Sequence, residues 1–361
     1  MNIHGLFKTL VEKQGSDLYL RTMALPRARI NGKIETIGAT PTSKDEMLSI
    51  THHLLGTEER ARMFKERLDL DFIHEEEGLG RFRVNVFIQR GTPAVVARYV
   101  HSNVKTFAEL SLPVELCELF CQDSKGLFLV SGPAGNGKST TIASMLEYIN
   151  QRRAQHIITI EDPIEFLFKD KKSIISQREL GIDVHSYPKA LKHVTQQSPD
   201  IIYIGNIRDE ETMRAAINAT ELGAYVMTTF HTINAVQTII RIVNFFPPYL
   251  HDEIRMQLSL ILKGVISLRL LARTDGQGRV PAFETMVVTP SIARLIREGR
   301  IREIQEFIDD GKLFGMQSFK HSLVGLVKSG VVEPDEARKY ADSRDEFDLE
   351  LKGIKRPSDV E

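Results

Sequence analysis

Apolar residues follow two different rhythms along this chain. In the first hundred residues they come in short alternating runs: Leu18, Leu20 and Met23 sit among polar neighbours, and Ala28–Lys33 predicts a strand turning at Asn31-Gly32. Met47–Leu68 carries helical periodicity. Leu70–Ile73 and Phe82–Phe87 predict strands flanking the acidic glycine turn Glu75–Gly80, and Ala94–Tyr99 predicts a third. From Leu112 onward the apolar residues gather into blocks, Leu127–Val130, Ile157–Ile160, Ile201–Ile204 and Tyr225–Thr229. Such blocks alternating with helical stretches predict a parallel sheet buried on both faces. Beyond Pro290 the residues Ile292, Leu295, Ile296, Ile301, Ile304 and Ile308 keep the helical period, and the charged tail after Ser343 is expected to be solvated. The division expected is a small α/β domain over 1–100, a linker over 101–111 and a larger α/β domain with a helical end over 112–361.

Composition narrows the classes. The 361 residues carry 47 basic and 48 acidic side chains, a net charge of -1, which argues against a broad nucleic-acid-binding surface. No apolar segment approaches the ~20 residues of a membrane span, and Met1–Lys8 lacks the apolar stretch of a secretory signal. The two cysteines, Cys117 and Cys121, are spaced to share one helix face and predict buried thiols rather than a metal site. The expectation is a soluble cytoplasmic protein that does not bind nucleic acid.

The candidate chemistry begins where the first apolar block of the larger domain ends. Gly132, Pro133, Ala134, Gly135, Asn136, Gly137, Lys138, Ser139 and Thr140 fit the phosphate-binding pattern GxxxxGKS/T. The strand candidate Leu127–Val130 precedes it, and Ile142, Met145, Leu146 and Ile149 follow on one helical face. Strand, glycine loop and helix are the order in which backbone N–H groups converge on phosphates at a helix N-terminus. ATP is the ligand expected, with Lys138 on the β- and γ-phosphates and Ser139 on Mg²⁺. Three other strand ends supply polar groups: Glu161, Asp162 and Glu165; Gly205-Asn206-Ile207-Arg208-Asp209; and Phe230-His231-Thr232. Ligands of open α/β sheets bind at such carboxyl ends.

The set Gly132–Thr140, Thr159–Glu165, Gly205–Asp209 and Thr229–Thr232 resembles the secretion and type IV pilus ATPases. The likeness runs nearly end to end, through Gly15–Leu18, Arg81–Phe87, Ser176–Glu179, Phe246-Pro247, Gly315–Gln317 and Leu351–Ile354. It implies a RecA-like P-loop NTPase core, a smaller PAS-like α/β N-terminal domain and a homo-hexameric ring. It also implies Mg²⁺ held by Ser139 and Glu161, and catalytic parts for Glu161, Glu165, the position of Asn206, His231 and the arginines Arg83, Arg90 and Arg98. Ser291–Glu298 is similar to a signature of retraction-type members, which makes Arg294, Leu295, Ile296, Arg297 and Glu298 a functional segment. The four-cysteine zinc insertion of assembly-type members has no counterpart here. The partners implied are an inner-membrane pilus platform protein, at whose base the ring would lie peripherally, and a paralogous ATPase.

Three departures from that family stand out. Its members place glutamate where this chain has Asn206, and asparagine cannot accept a proton as a general base. Lys192 and Gln196 stand where the family has arginines, and Ala224 where it has a histidine. All three departures are expected to weaken turnover while leaving phosphate and Mg²⁺ binding in place. The principal reading is a retraction-type motor with reduced hydrolysis; the alternatives are a ring subunit that binds ATP beside an active paralogue, and an assembly-type secretion ATPase.

Overall fold

The computed structural model describes residues 2–100 and 103–354. Its contacts divide it into two compact units, one of residues up to 103 together with 165–167, the other of 104–164 and the residues from 168 onward. His101 and Ser102 of the predicted linker lie outside the described residues, and Phe107 within it is buried in the second unit, its ring 5.3 Å from that of Tyr148.

The first unit contains α1 (Ile3–Glu12), β1 (Asp17–Arg21), β2 (Arg27–Ile30), β3 (Lys33–Thr36), α2 (Lys44–Leu55), α3 (Glu58–Arg67), β4 (Asp69–Glu76), β5 (Gly80–Gln89) and β6 (Thr92–Val100). Its strands form an antiparallel sheet in the order β3-β2-β1-β6-β5-β4. Asn31 and Gly32 both have positive φ, 49° and 81°, the hairpin turn that their sequence predicts. The helical stretch expected over 47–68 is two helices. Gly56, at φ 67°, ends α2 in the left-handed conformation, and the Thr57 side chain caps α3 by accepting from the Arg60 N–H. Met23 is not a strand residue: it sits exposed in a turn at φ 58°. Helix α1 buries Ile3, Leu6, Phe7 and Leu10, the spacing of a single helical stripe, and Phe7 stacks on Phe82 with ring centroids 4.0 Å apart.

The second unit runs α4 (Val114–Gln122), β7 (Gly126–Ser131), α5 (Lys138–Arg152), β8 (His156–Glu161), β9 (Ile174–Glu179), α6 (Tyr187–Val194), β10 (Ile201–Ile204), α7 (Glu210–Glu221), β11 (Tyr225–Phe230), α8 (Ala235–Val243), α9 (His251–Ile261), β12 (Leu262–Ala272) and β13 (Arg279–Val287). It closes with α10 (Pro290–Glu298), α11 (Ile304–Asp310), α12 (Phe319–Lys328), α13 (Pro334–Tyr340) and α14 (Arg344–Leu351). The strand order is β13-β12-β7-β11-β10-β8-β9; all neighbours pair in parallel except β13, which pairs antiparallel with β12. Alternation explains the unbroken apolar blocks. Leu127 and Leu129 pack into one core with α6 to α11, while Phe128 and Val130 pack into another with α4 and α5. Cys117 and Cys121 are both buried on α4, and burial pushes the Cys117 thiol up to about 12.

Two expectations for the C-terminal part need correction. The six positions Ile292, Leu295, Ile296, Ile301, Ile304 and Ile308 are all buried, but Gly299 at φ 76° ends α10 and a 3-10 turn separates it from α11. The charged tail is folded as far as Ile354: Phe347 of α14 is fully buried against the cluster containing Leu271, Phe319 and Leu323, and Asp348 accepts from Arg338 at 3.0 and 2.9 Å. One aromatic anchor among many charges is enough to dock a short helix, and a charge-based reading passes over it. Residues 355–361 lie outside the described set.

A buried carboxyl gives the second unit a pH dependence of its own. Glu284 of β13 is nearly inaccessible; burial pushes its pKa from 4.5 up to about 7, against the opposing hydrogen bonds from the Ala235 N–H at 2.9 Å and Gln305. A carboxyl with a raised folded-state pKa keeps its proton in the fold, so its contribution is full below about 4.5 and is lost as the pH rises towards about 7. Glu284→Gln is expected to flatten the stability profile over that window by roughly 1–3 kcal/mol, from the conversion of one pKa unit to 1.36 kcal/mol. Urea unfolding of both proteins across the window checks this; parallel profiles would contradict it.

Candidate nucleotide-binding site

Parallel pairing places four strand ends side by side. In the order β7, β11, β10, β8, residues Ser131 and Phe230 are register partners, Thr228 pairs with Ile204, and Ile204 with Ile160. The residues that follow each strand therefore line one sheet edge: Gly132, His231, Gly205 with Asn206, and Glu161 at the end of β8. Neighbouring strands are ~4.8 Å apart, so groups scattered over a hundred residues of sequence become neighbours.

The glycine loop is built tightly against the sheet. Gly132 has φ 148°, and a Cβ there would lie 2.6 Å from the Leu268 carbonyl oxygen. Gly137, at φ 86°, precedes α5, whose N-terminus carries no side-chain cap. Its first-turn N–H groups are thus left to a ligand, the arrangement that makes a helix N-terminus an anion site. A Cβ on Gly135 would meet nothing within 4 Å, which leaves the loop open on its outer side. Asn136 fixes the loop from within: its Oδ1 accepts from the Leu270 N–H at 2.7 Å, and the Arg279 guanidinium donates to the Gly135 carbonyl at 3.2 Å. The role of Asn136 and Arg279 was not legible in the motif, since both contacts span more than a hundred residues.

Charge concentrates at the loop's inner edge. The buried Lys138 ammonium donates to the Gly132 and Pro133 carbonyls at 2.8 and 2.9 Å and lies 3.3 Å from His231 Nδ1. Burial first, then the positive charges of Lys138 and Arg208, pull the His231 imidazole below its ordinary value, so the ring is neutral at pH 7. Glu161 Oε1 accepts from Thr159 Oγ1 at 2.7 Å and Gln177 Nε2 at 3.2 Å. Gln177 comes from β9, a strand that periodicity did not predict.

Asn206 has both side-chain polar atoms buried without a hydrogen-bond partner among the described residues, and the same holds for the Tyr187 hydroxyl. These groups belong to one packed corner: a Cβ on Gly205 would lie 3.2 Å from the Glu161 Cα and 3.3 Å from the Tyr187 hydroxyl oxygen. Burial and the nearby Asp162 and Glu161 push the Tyr187 phenol up, which keeps it a neutral donor. Unpaired buried polar atoms cost on the order of 1–3 kcal/mol each. Their gathering here fits a site completed by a polar ligand and its water, and the Ser139 hydroxyl with the Glu161 carboxylate is an oxygen set suited to Mg²⁺.

Arg83, Arg90, Arg98 and Glu165 belong to the first unit. Arg83 pairs with Asp71, Arg98 donates to Asp17 at 2.8 Å, and Arg90 sits at φ 50° in the turn between β5 and β6. In α10, Leu295 and Ile296 are core residues, so only Arg294, Arg297 and Glu298 of that segment face outward.

Ala224 and Gln196 lie away from this sheet edge. Ala224 precedes β11, a whole strand of about 20 Å away from His231. Gln196 is exposed near the opposite strand ends, where the adjoining Gln197 carbonyl lies 3.1 Å from His156 Nδ1, and Lys192 is exposed on α6. Asn206 alone of the three lies at this sheet edge, at the end of β10.

A model of the type II/IV secretion system protein family matches residues 76–307. The chain belongs to that family. It is 36% identical over 98% of its length to the type IV pilus ATPase PilU of Pseudomonas aeruginosa, of which it covers 92%. It is 38% identical over 96% of its length to the type IV pilus retraction ATPase PilT of the same organism, of which it covers 100%. A crystal structure of the pilus retraction motor PilT with bound ADP shares the fold at a TM-score of 0.85 and 39% identity, covering 96% of this chain and 98% of that one. The α/β architecture expected from the sequence is the one found. The matched stretch contains the glycine loop, all four strand ends and α10.

The tight seat of Gly132 carries a prediction. Gly132→Ala must adopt a φ that L-residues disfavour and also displace the Leu268 carbonyl. A loss of roughly 1–3 kcal/mol is expected, the cost of overpacking, seen as a lower urea midpoint. An unchanged midpoint would mean that the loop is not held against β12.

Proposed function

We propose that this chain is an ATP-hydrolysing motor subunit of the type IV pilus retraction type, with Asn206 making its hydrolysis slow. The observation that carries the ATPase reading is the shared edge of four strand ends, with Lys138 at the phosphate loop 3.3 Å from His231. Full-length similarity to PilT and PilU supports the assignment to pilus motors. Lys138 exchanges its two loop carbonyls for phosphate oxygens, and the loop N–H groups and the α5 N-terminus hold the rest of the phosphate charge. Ser139 and Glu161 hold Mg²⁺, which supplies charge neutralisation on the phosphates when bound. The neutral His231 offers a hydrogen bond at the same edge without adding charge.

Asn206 sets the rate. Its amide can donate to and accept from a water, and so orient it, but it cannot remove the proton. Glutamate at that position can do both. The parts given to Arg83, Arg90, Arg98 and Glu165 rest on the family resemblance, as do the hexameric ring, the inner-membrane platform protein and the position at the cytoplasmic face of that membrane. The outward residues of α10, Arg294, Arg297 and Glu298, favour the retraction type over an assembly-type secretion ATPase.

A second reading has its own support. Pseudomonas aeruginosa has two proteins, PilU and PilT, that are each similar to this chain over nearly its full length. With Asn206 at the water position, this chain fits a ring subunit that binds ATP and works beside a faster paralogue.

Steady-state ATP hydrolysis by the purified chain tests the proposal. The expected result is slow turnover, a rise of at least about tenfold for Asn206→Glu, the low side of general-base contributions, and loss of activity in Lys138→Ala. Brisk turnover that Asn206→Glu leaves unchanged would assign water activation to another carboxylate, Glu161 or Glu165.

A further inference from the structure

The first unit contains a side-chain cluster that the nucleotide chemistry does not use. His53 from the last turn of α2 and His74 and Glu76 from β4 bring their potential ligand atoms within 4.8 Å of one another. His4 joins from the outward face of α1, its Nδ1 2.6 Å from Glu76 Oε1, while His74 Nε2 lies 2.7 Å from Glu76 Oε2. Three of the chain's 11 histidines thus converge on one carboxylate from three separate elements.

The surroundings are those of a ligand site with one dry side. Phe7, stacked on Phe82, sits 5.9 Å from the His74 ring, and the His53 ring meets His74 edge-on at 5.8 Å. The side chains of His74 and Glu76 are 14% and 11% exposed, whereas His4 is 46% exposed, so the cluster is sheltered beneath and reachable from outside. Burial pushes the Glu76 carboxyl up, and its hydrogen bonds to His74 and His4 outweigh that and leave it below its ordinary value. A purely structural clasp between α1 and β4 would account for His4, His74 and Glu76. It leaves His53 without a part, because among the described residues His53 makes no hydrogen bond in the cluster.

We propose that His53, His74 and Glu76 form a binding site for a transition-metal dication, Zn²⁺ foremost, with His4 holding the Glu76 carboxylate from outside the coordination shell. Two imidazoles and one carboxylate are a nitrogen-rich set that suits Zn²⁺ and disfavours Mg²⁺ and Ca²⁺. Zn²⁺ takes ligands at ~2.0–2.2 Å in tetrahedral geometry, with water as the fourth. The ion enters by taking the place of the hydrogen bond between His74 and Glu76. His74 then ligates through Nε2 and carries its proton on Nδ1. The hydrogen bond from His4 to the ligating carboxylate is the kind of outer contact that orients a metal ligand. Bound metal would tie α1, the end of α2 and β4 together, and so link metal supply to the stability of the first unit.

The test uses the full chain, stripped with a chelator and then equilibrated with Zn²⁺. One Zn²⁺ retained per chain is expected, with an upward Tm shift of roughly 3 °C or more at saturating metal. His53→Ala, which removes an exposed side chain with no hydrogen bond to lose, should lower Zn²⁺ affinity at least about tenfold while the metal-free Tm stays at the parent value. His4→Ala should weaken binding by about tenfold through the carboxylate it holds, and the neighbouring exposed His52→Ala should bind as the parent does. Failure of the parent to retain stoichiometric Zn²⁺, or equal retention by the parent and His53→Ala, would overturn the proposal. The second outcome would place the metal elsewhere, with Ser139 and Glu161 the first residues to examine.

Discussion

Everything at the candidate site depends on the parallel pairing of β7, β11, β10 and β8. Parallel strands end together, so their carboxyl ends meet along one edge; antiparallel pairing would have sent alternate ends to opposite edges. Chain order is 7, 8, 10, 11, whereas spatial order is 7, 11, 10, 8. That exchange puts His231 rather than Glu161 beside the phosphate loop and leaves the Asn206 strand between them. The helices that permit this order also cover both sheet faces, so the edge forms at the boundary of a dry core. Hydrogen bonds and charges at such a boundary are stronger than in water.

The electrostatics of that edge follow from the same packing. Lys138 is buried yet held by two loop carbonyls, which satisfies its ammonium with groups that a phosphate can replace. Burial first, and then its charge with that of Arg208, hold the His231 imidazole below its ordinary value. Glu161 is steadied by Thr159 and Gln177. Asn206 and Tyr187 keep polar atoms buried and unpaired, a cost that a structural site would have removed by substitution. The corner is therefore polar in kind, and in the proposed function its neutral amide is the feature that separates binding from proton removal.

Much of this was legible in the sequence because the signals were local. The glycine loop, its preceding strand and the buried stripe Ile142, Met145, Leu146 and Ile149 of α5 follow from one continuous stretch of sequence, Leu127 to Ile149. The four core strands were visible as apolar blocks for the same reason. What escaped depends on distant partners. Strands β9, β12 and β13 have mixed patterns, and Gln177, Arg279 and Leu270 matter only through contacts that pairing creates. The helix break at Gly56-Thr57 was written in a glycine and a capping threonine that the hydrophobic period overrode. Ala224, Lys192 and Gln196 looked equivalent to Asn206 as departures from the family; Ala224 precedes β11, and Lys192 and Gln196 lie on α6 and the turn after it, whereas Asn206 follows β10 at the strand-end edge. Leu295 and Ile296 belong to the segment read as functional, and both are core residues.

The central claim is that the site binds ATP well and is slow at the bond-breaking step because Asn206 cannot take a proton. A single-turnover measurement tests it most directly: the chain in excess over radiolabelled ATP with Mg²⁺, quenched at intervals and analysed for bound nucleotide and released phosphate. The account predicts that label is captured rapidly by the protein and persists as intact ATP, with phosphate appearing only slowly. Rapid conversion of the captured ATP to ADP, with any delay confined to product release, would contradict it.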